Sequence, residues 1–425
     1  MLRKCMELSA IPRSLLLMRQ EDSTNKMPER SAEIEGKTLR RITPFRTLDA
    51  LRGLAACWVV MFHCSNSFIE HGNQQYAREP LYFVGMCGQL GVMLFFVISG
   101  YCIMAAAYSA LINGKPLRQY TFERLRRIYP PHLAALAVGV PTTLLIAFAN
   151  AHHWIAPLHH VVEIDTFIRF WIGNIFLLQS ELRVEPVCFV LWSLCYEVAF
   201  YALVGVLLWA AQRIAARRGL AAGTLTLVIG MGLSAIFSLL SLVALGRAAF
   251  PFDLWHMFAL GGMAFFLIEL NPETTACFCA RLRWILTGTA TGVVLLTLIF
   301  IAAHLGDEVN LNNPHGWMSS AACLVFMALL MGLRRFDARL VASRWMRPLL
   351  WIGACSYSTY LIHVVVTQFP SVLCRRMGLD GHLYWIAFWI EFMVAIACGR
   401  LFYHLVERHF LSTRQKQRLA EERVV

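Results

Sequence analysis

An arginine and a histidine share the first strongly apolar run of this chain, Leu51-Arg-Gly-Leu-Ala-Ala-Cys-Trp-Val-Val-Met-Phe-His63-Cys64, with ten residues between Arg52 and His63. On an α-helix that spacing puts both side chains on nearly one face, about 16 Å apart along the axis. Ionisable groups are costly inside such helices and mark functional positions by default. An imidazole there can act as the general base that deprotonates a hydroxyl, while the guanidinium holds an anionic group. A structural reading stands beside this one: Arg52 snorkels to a helix end and pairs with Asp49 one turn back, and His63 is a hydrogen-bonded core histidine.

Glu197 lies in another apolar run, Leu191-Trp-Ser-Leu-Cys-Tyr-Glu197-Val-Ala-Phe-Tyr201. A bare carboxylate is disfavoured there, so it needs a partner or an aqueous cavity, and His63 or an intramembrane arginine would serve. A purely structural ion pair is the alternative. Arg124 and Arg127 sit one turn apart at a helix entrance, a geometry that clasps phosphates, with Arg126 beside them and Pro130 suited to a first turn. Charge bias across a membrane also accounts for arginines at such a place. His363 is a second imidazole in an apolar run, and Ser99, Tyr101, Trp192 and Tyr201 are further groups that could line one cavity. Close helix packing is the plain reading of the small residues around Gly100 and Ser356. No metal is expected. The thirteen cysteines scatter mostly through apolar runs, and Cys277-Phe-Cys279 is a lone pair without partners.

The elements that must position these groups follow from composition. The chain has 425 residues, 58% hydrophobic and 15% charged, against about a quarter charged in soluble proteins. An all-α polytopic membrane protein is the expected class, with about ten spanning helices. They are placed at residues 50–69, 87–108, 128–149, 191–211, 223–247, 252–270, 284–305, 317–334, 350–370 and 384–406. The net charge of +12 falls in the links between apolar runs, which argues for the positive-inside rule and against nucleic acid as a partner. The basic links alternate onto one side, so both termini are expected in the cytosol. Residues 1–46 read as a basic tail, loosely helical or without structure, with Met27 an alternative start, and 411–425 as a second tail. Residues 166–180 are apolar but short and broken by Arg169, Gly173 and Asn174. They are expected to form a re-entrant or interfacial piece on the outer face.

Together these segments resemble the acyltransferase-3 family of polytopic membrane O-acyltransferases. The matching elements, in order over residues 45–410, are Arg52-x10-His63, the run 91–101, Arg124-x-x-Arg127-x-x-Pro130, Trp192-Ser-Leu-x-x-Glu197-x-x-Phe200-Tyr201 and Ser356-Tyr-Ser-x-Tyr-Leu-x-His363. The resemblance implies a membrane acyl-transfer domain over residues 47–410. It takes an acyl group, most commonly acetyl, from cytosolic acyl-coenzyme A to a hydroxyl of a cell-surface or exported carbohydrate or glycolipid, at a bacterial-type inner membrane. The family's essential arginine and histidine carry over to Arg52 and His63, and its donor-side arginines to Arg124 and Arg127. Glu123 stands where the family often has the first arginine of a doublet, which leaves Arg126 as a substitute. Glu407 leads into Arg408-His409 where the family usually has a proline, and no role is assigned to it. The short tail after the last span implies the stand-alone type, without the extracytoplasmic hydrolase-like domain of some relatives. With no serine nucleophile beside a base, direct transfer is expected over a covalent intermediate. A secondary transporter or flippase of a glycan pathway would bury the same residue types and is the rival class. The acceptor, the acyl length and the oligomeric state are not legible at this level.

Overall fold

The computed structural model describes residues 44–69, 80–152, 168–246, 248–269, 279–307, 313–379 and 383–411. Both expected tails fall outside these apart from their innermost residues, as do Met27 and Cys277. The described chain is built from α-helices: α1 (Thr47–Ile69), α2 (Leu90–Ile112), α3 (Leu117–Ala151), α4 (Leu191–Arg218), α5 (Leu220–Leu245), α6 (Trp255–Glu269), α7 (Cys279–His304), α8 (Trp317–Leu333), α9 (Arg347–Gly353), α10 (Ser356–Arg376) and α11 (Tyr384–Phe402). Every expected span is helical. Among the described residues eight helices are long and apolar enough to cross a membrane, or nine if α9 and α10, bent by 66° at their junction, count as one. The expectation of about ten stands one or two above this count.

The shortfall is α6. Its 15 residues would reach about 22 Å, short of the ~30 Å hydrocarbon core. It is nevertheless apolar apart from His256 and the terminal Glu269, and every residue from Trp255 to Phe266 is buried. A helix apolar all round belongs inside protein. It packs against α2, and a methyl group added at Gly100 would fall on the Phe258 carbonyl, one at Gly261 on the Val97 carbonyl. The two backbones therefore cross in contact, antiparallel, with α1, α4, α5 and α8 around them. Large apolar side chains such as Leu233, Phe237, Leu298, Val325 and Leu401 face outward, as lipid contact requires. The chain is a multi-pass membrane protein.

Alternating helix directions bring the arginine-bearing links to one end of the bundle, where the start of α1 also lies. The Asp337 carboxylate accepts hydrogen bonds from the Arg46 and Thr47 backbone N–H groups (3.2 and 2.7 Å) and from the Thr47 hydroxyl (2.6 Å). The link after α8 thus supplies the cap that the first turn of α1 lacks in its own sequence. Arg334 joins the same end, bridging Glu269 at 3.1 Å and Asp337 at 3.6 Å. α3 begins at Leu117, well before the expected 128, so Pro130 is internal rather than in a first turn. Apolarity marks only the part of a helix in lipid, and the preceding turns carry the arginines. At the opposite end, residues 168–176 form a short helix too short to span. Asn174 holds it: its carbonyl contacts His132 at 2.9 Å, and its side-chain oxygen accepts the Val187 N–H at 2.8 Å.

Candidate active site

α1 carries Arg52 near the arginine end and His63 toward the other. Arg52 pairs with Asp49 at 3.8 Å, as one reading of the sequence expects, but also donates from Nη2 to the Cys102 thiol at 3.5 Å. It is therefore not simply snorkelling: its second nitrogen is turned across the bundle to α2. One turn earlier on α2, Ser99 donates to Glu197 Oε1 at 3.3 Å, and Tyr201, one turn along α4, donates to the same oxygen at 2.7 Å. Hydroxyls on two helices thus hold a carboxylate that neither helix could satisfy alone.

The arginine expected beside Glu197 is Arg127. It lies within electrostatic reach of Tyr201, Glu197, Cys102 and Glu407. Arg124, one turn back on the same face of α3, reaches Tyr201 as well. Arg126 is rotated away from both by the helical period and makes no ion pair with a described carboxylate. Glu197 does not hold His63, as a role in orienting the imidazole would need. Its hydrogen bonds come from Ser99 and Tyr201, and the ring beside His63 is His363.

Glu407 is the residue that sequence reasoning missed. It is buried in a π-helical turn, Tyr403–Glu407, that continues α11. Its Oε2 accepts from the Ser358 hydroxyl at 2.6 Å and the Ser358 N–H at 3.2 Å, and it lies in reach of Arg127 and Arg52. The missing proline said nothing against this, because a buried carboxylate is decided by its neighbours. The usable signal was a glutamate at the end of an apolar run, and π-turns recur at functional sites. Tyr357, also unassigned, donates to the Ile128 carbonyl at 3.1 Å and tethers α10 to α3 beside the cluster.

His63 and His363 meet at the other end of this polar seam. Their ring centroids are 5.0 Å apart, with Phe62 at 5.0 Å and Phe189 at 6.1 Å from His63. His363 is fully buried, and its Nδ1 faces the Thr359 and Tyr360 carbonyls at 3.2 and 2.9 Å. Carbonyls only accept, so Nδ1 carries the proton and Nε2 keeps a lone pair in the neutral ring. That Nε2 has no hydrogen-bond partner among the described residues. Tyr360 stands beside His363 and shares a 2.7 Å hydrogen bond with Ser193 at the start of α4. Trp192 lies half-buried against Phe96 and Tyr196. One sequence expectation fails here, whereas Gly100 is a packing position with the α6 backbone against it. Tyr101 does not join the seam but packs between Phe45 and Phe265.

Among the described residues no three or more His, Cys, Asp or Glu side chains are grouped to hold a metal. The arrangement offers guanidinium groups for an anion at one end, with Glu197 and Glu407 in electrostatic reach of them, and an imidazole pair for proton transfer at the other.

The O-acetyltransferase OatA of Staphylococcus aureus strain NCTC 8325 is 24% identical over 372 residues, covering 85% of this chain and 56% of its own. OatA of strain COL matches to the same extent. The chain spans about half the length of the curated relatives it matches. No solved structure matches it. A family model described as an acyltransferase domain matches residues 45–404, nearly all of the helical bundle and every site residue except Glu407. The chain belongs to the acyltransferase-3 family.

Proposed function

We infer that this protein is a membrane O-acyltransferase that moves an acyl group, acetyl first among them, from acyl-coenzyme A to a hydroxyl of a cell-surface or exported carbohydrate or glycolipid. The observation that carries the reading is the seam itself, in which Arg52, Arg127, Glu197 and Glu407 meet at one end and His63 and His363 at the other. Residues 47–410 are the acyl-transfer domain, with 1–46 and 411–425 as tails. The arginine end faces the cytosol of a bacterial-type inner membrane, which places both tails there. Coenzyme A phosphates bind Arg124 and Arg127, with Arg126 available at the entrance. The pantetheine arm runs past Arg52 and brings the thioester to His63. His63 takes the proton of the acceptor hydroxyl as its oxygen attacks the carbonyl carbon. The C–S bond then breaks, an ester is formed, and the coenzyme leaves as a thiol with the transferred proton.

Membranes containing the protein, given acetyl-coenzyme A labelled in the acetyl group and a surface-glycan extract, should form labelled ester and release free thiol only with acceptor present. His63→Ala should abolish both while the protein remains in the membrane at normal level. Full activity in that variant removes the proposed base. Gradient-driven glycan uptake with no ester formed would make the protein a transporter.

A further inference from the structure

At the end of the bundle opposite the arginines lies a polar pocket that the transfer chemistry does not use. Its cavity of ≈ 360 Å³ is bounded by the end of α5, the start of α6, the end of α7 and the start of α8. Small-molecule sites span about 300–1,000 Å³. Six residues give it its chemistry: Asp253, His304, Asp307, Asn313, His315 and Trp317. Asp253 Oδ2 accepts from the Tyr196 hydroxyl at 2.6 Å and faces His315 Nδ1 at 3.6 Å. Its other oxygen, Oδ1, and the Trp317 indole N–H are buried and have no hydrogen-bond partner among the described residues. Polar atoms in that state are rare, and each calls for an explanation. His304 Nδ1 faces the Phe300 carbonyl at 2.8 Å, so the neutral ring keeps Nε2 as an acceptor. Asn313 Oδ1 accepts the His315 N–H at 3.0 Å, which orients its amide and leaves the NH₂ donors to spare.

This inventory selects its ligand. Two carboxylates repel an anion, and the polar walls disfavour an apolar molecule. The described residues group no three metal ligands here. Acceptors at Asp253, Asp307 and His304 beside donors at Asn313 and Trp317 match hydroxyls, each of which both gives and takes a hydrogen bond.

The pocket and the histidines both lie against the first turns of α4, through Ser193 and Tyr360 to His363 and through Tyr196 to Asp253. His63 touches Phe189, and Trp192 touches Tyr196 in the first turns of α4 (6.1 and 6.0 Å between rings). Tyr196 then holds Asp253. Among the described residues, none of the pocket's lining side chains makes a hydrogen bond or ring contact with His363.

We propose that this pocket binds a distal sugar of the acceptor, so that the acceptor is a neutral oligosaccharide chain rather than a small glycoside. The role as acceptor subsite rests on the transfer reaction inferred above; the sugar binding does not. The test uses the full chain in lipid nanodiscs on an array of bacterial surface oligosaccharides, with spermine as the cationic and ATP as the anionic control. At least one neutral oligosaccharide should bind, and Trp317→Phe, which keeps the ring and removes only the N–H, should weaken it about tenfold. Asp253→Asn should weaken it at least as much. Absence of any bound oligosaccharide, stronger binding of spermine, or affinity unchanged in both variants overturns the proposal. Acetyl-coenzyme A binding, measured on the same samples, should be unchanged in both variants. If the unmodified protein binds oligosaccharide but no acetyl-coenzyme A, the transfer reading fails while the sugar pocket stands.

Discussion

Tyr201→Phe is the sharpest probe of how the half-buried carboxylate of Glu197 is held. The change deletes one hydroxyl and keeps the ring, so its effect reports the 2.7 Å bond from Tyr201 to Glu197 Oε1. A hydrogen bond to a charged group contributes about 1.5–3 kcal/mol in soluble proteins. Between membrane helices the average is about 0.6 and the maximum about 1.7 kcal/mol. A short bond to a carboxylate belongs near the upper end, so the expected loss is ~1.5 kcal/mol, roughly a tenfold change in the folded-to-unfolded ratio. Ser99 reaches the same oxygen at 3.3 Å, a longer and weaker bond, so Ser99→Ala should cost well under 1 kcal/mol. Because both donors serve one oxygen, the double variant should cost more than the sum, as the second loss strips Oε1 of every hydroxyl. Equilibrium unfolding in mixed SDS micelles of the four proteins measures the cycle, and kcat/KM on the same samples shows whether the carboxylate's position matters to transfer. A Tyr201→Phe variant as stable as the parent, or a Ser99→Ala variant that loses more, would refute the account of Glu197.

Other perturbations follow from the same geometry. Glu407→Ala should destabilise by about 1–3 kcal/mol, since it leaves the Ser358 hydroxyl and N–H without their acceptor, and Glu407→Gln by clearly less; thermal unfolding in detergent compares them. Asp337→Ala should lower stability by about 0.5–2 kcal/mol through the cap it gives α1, with hydrogen exchange rising first at residues 47–50. Gly261→Val should cost at least about 1–3 kcal/mol by driving α6 off the α2 backbone, read as loss of folded protein in the membrane. Arg127→Gln should raise the KM for acetyl-coenzyme A, whereas Arg126→Gln, on the other face of α3, should change it far less; initial-rate kinetics over donor concentration separates them.

Much of the fold was legible because lipid imposes one strong rule on any spanning segment: it must be apolar and helical. The long helices could be read from that rule. The same rule failed for α6, whose buried apolar surface is covered by protein and needs no bilayer length. It also failed for the first turns of α3, where a polar helix continues beyond the lipid and hydropathy stops reporting it.

The candidate site divides along similar lines. That Arg52, His63, Glu197 and His363 needed partners was evident from the cost of burying each one. Who the partners were was not, because the answer joins residues far apart in the chain: Glu197 to Ser99, His63 to His363, Glu407 to Ser358. Solvation of a side chain is a local property, and one sequence states it. The satisfaction of a buried charge depends on which helices cross beside it, and only the assembled bundle decides that.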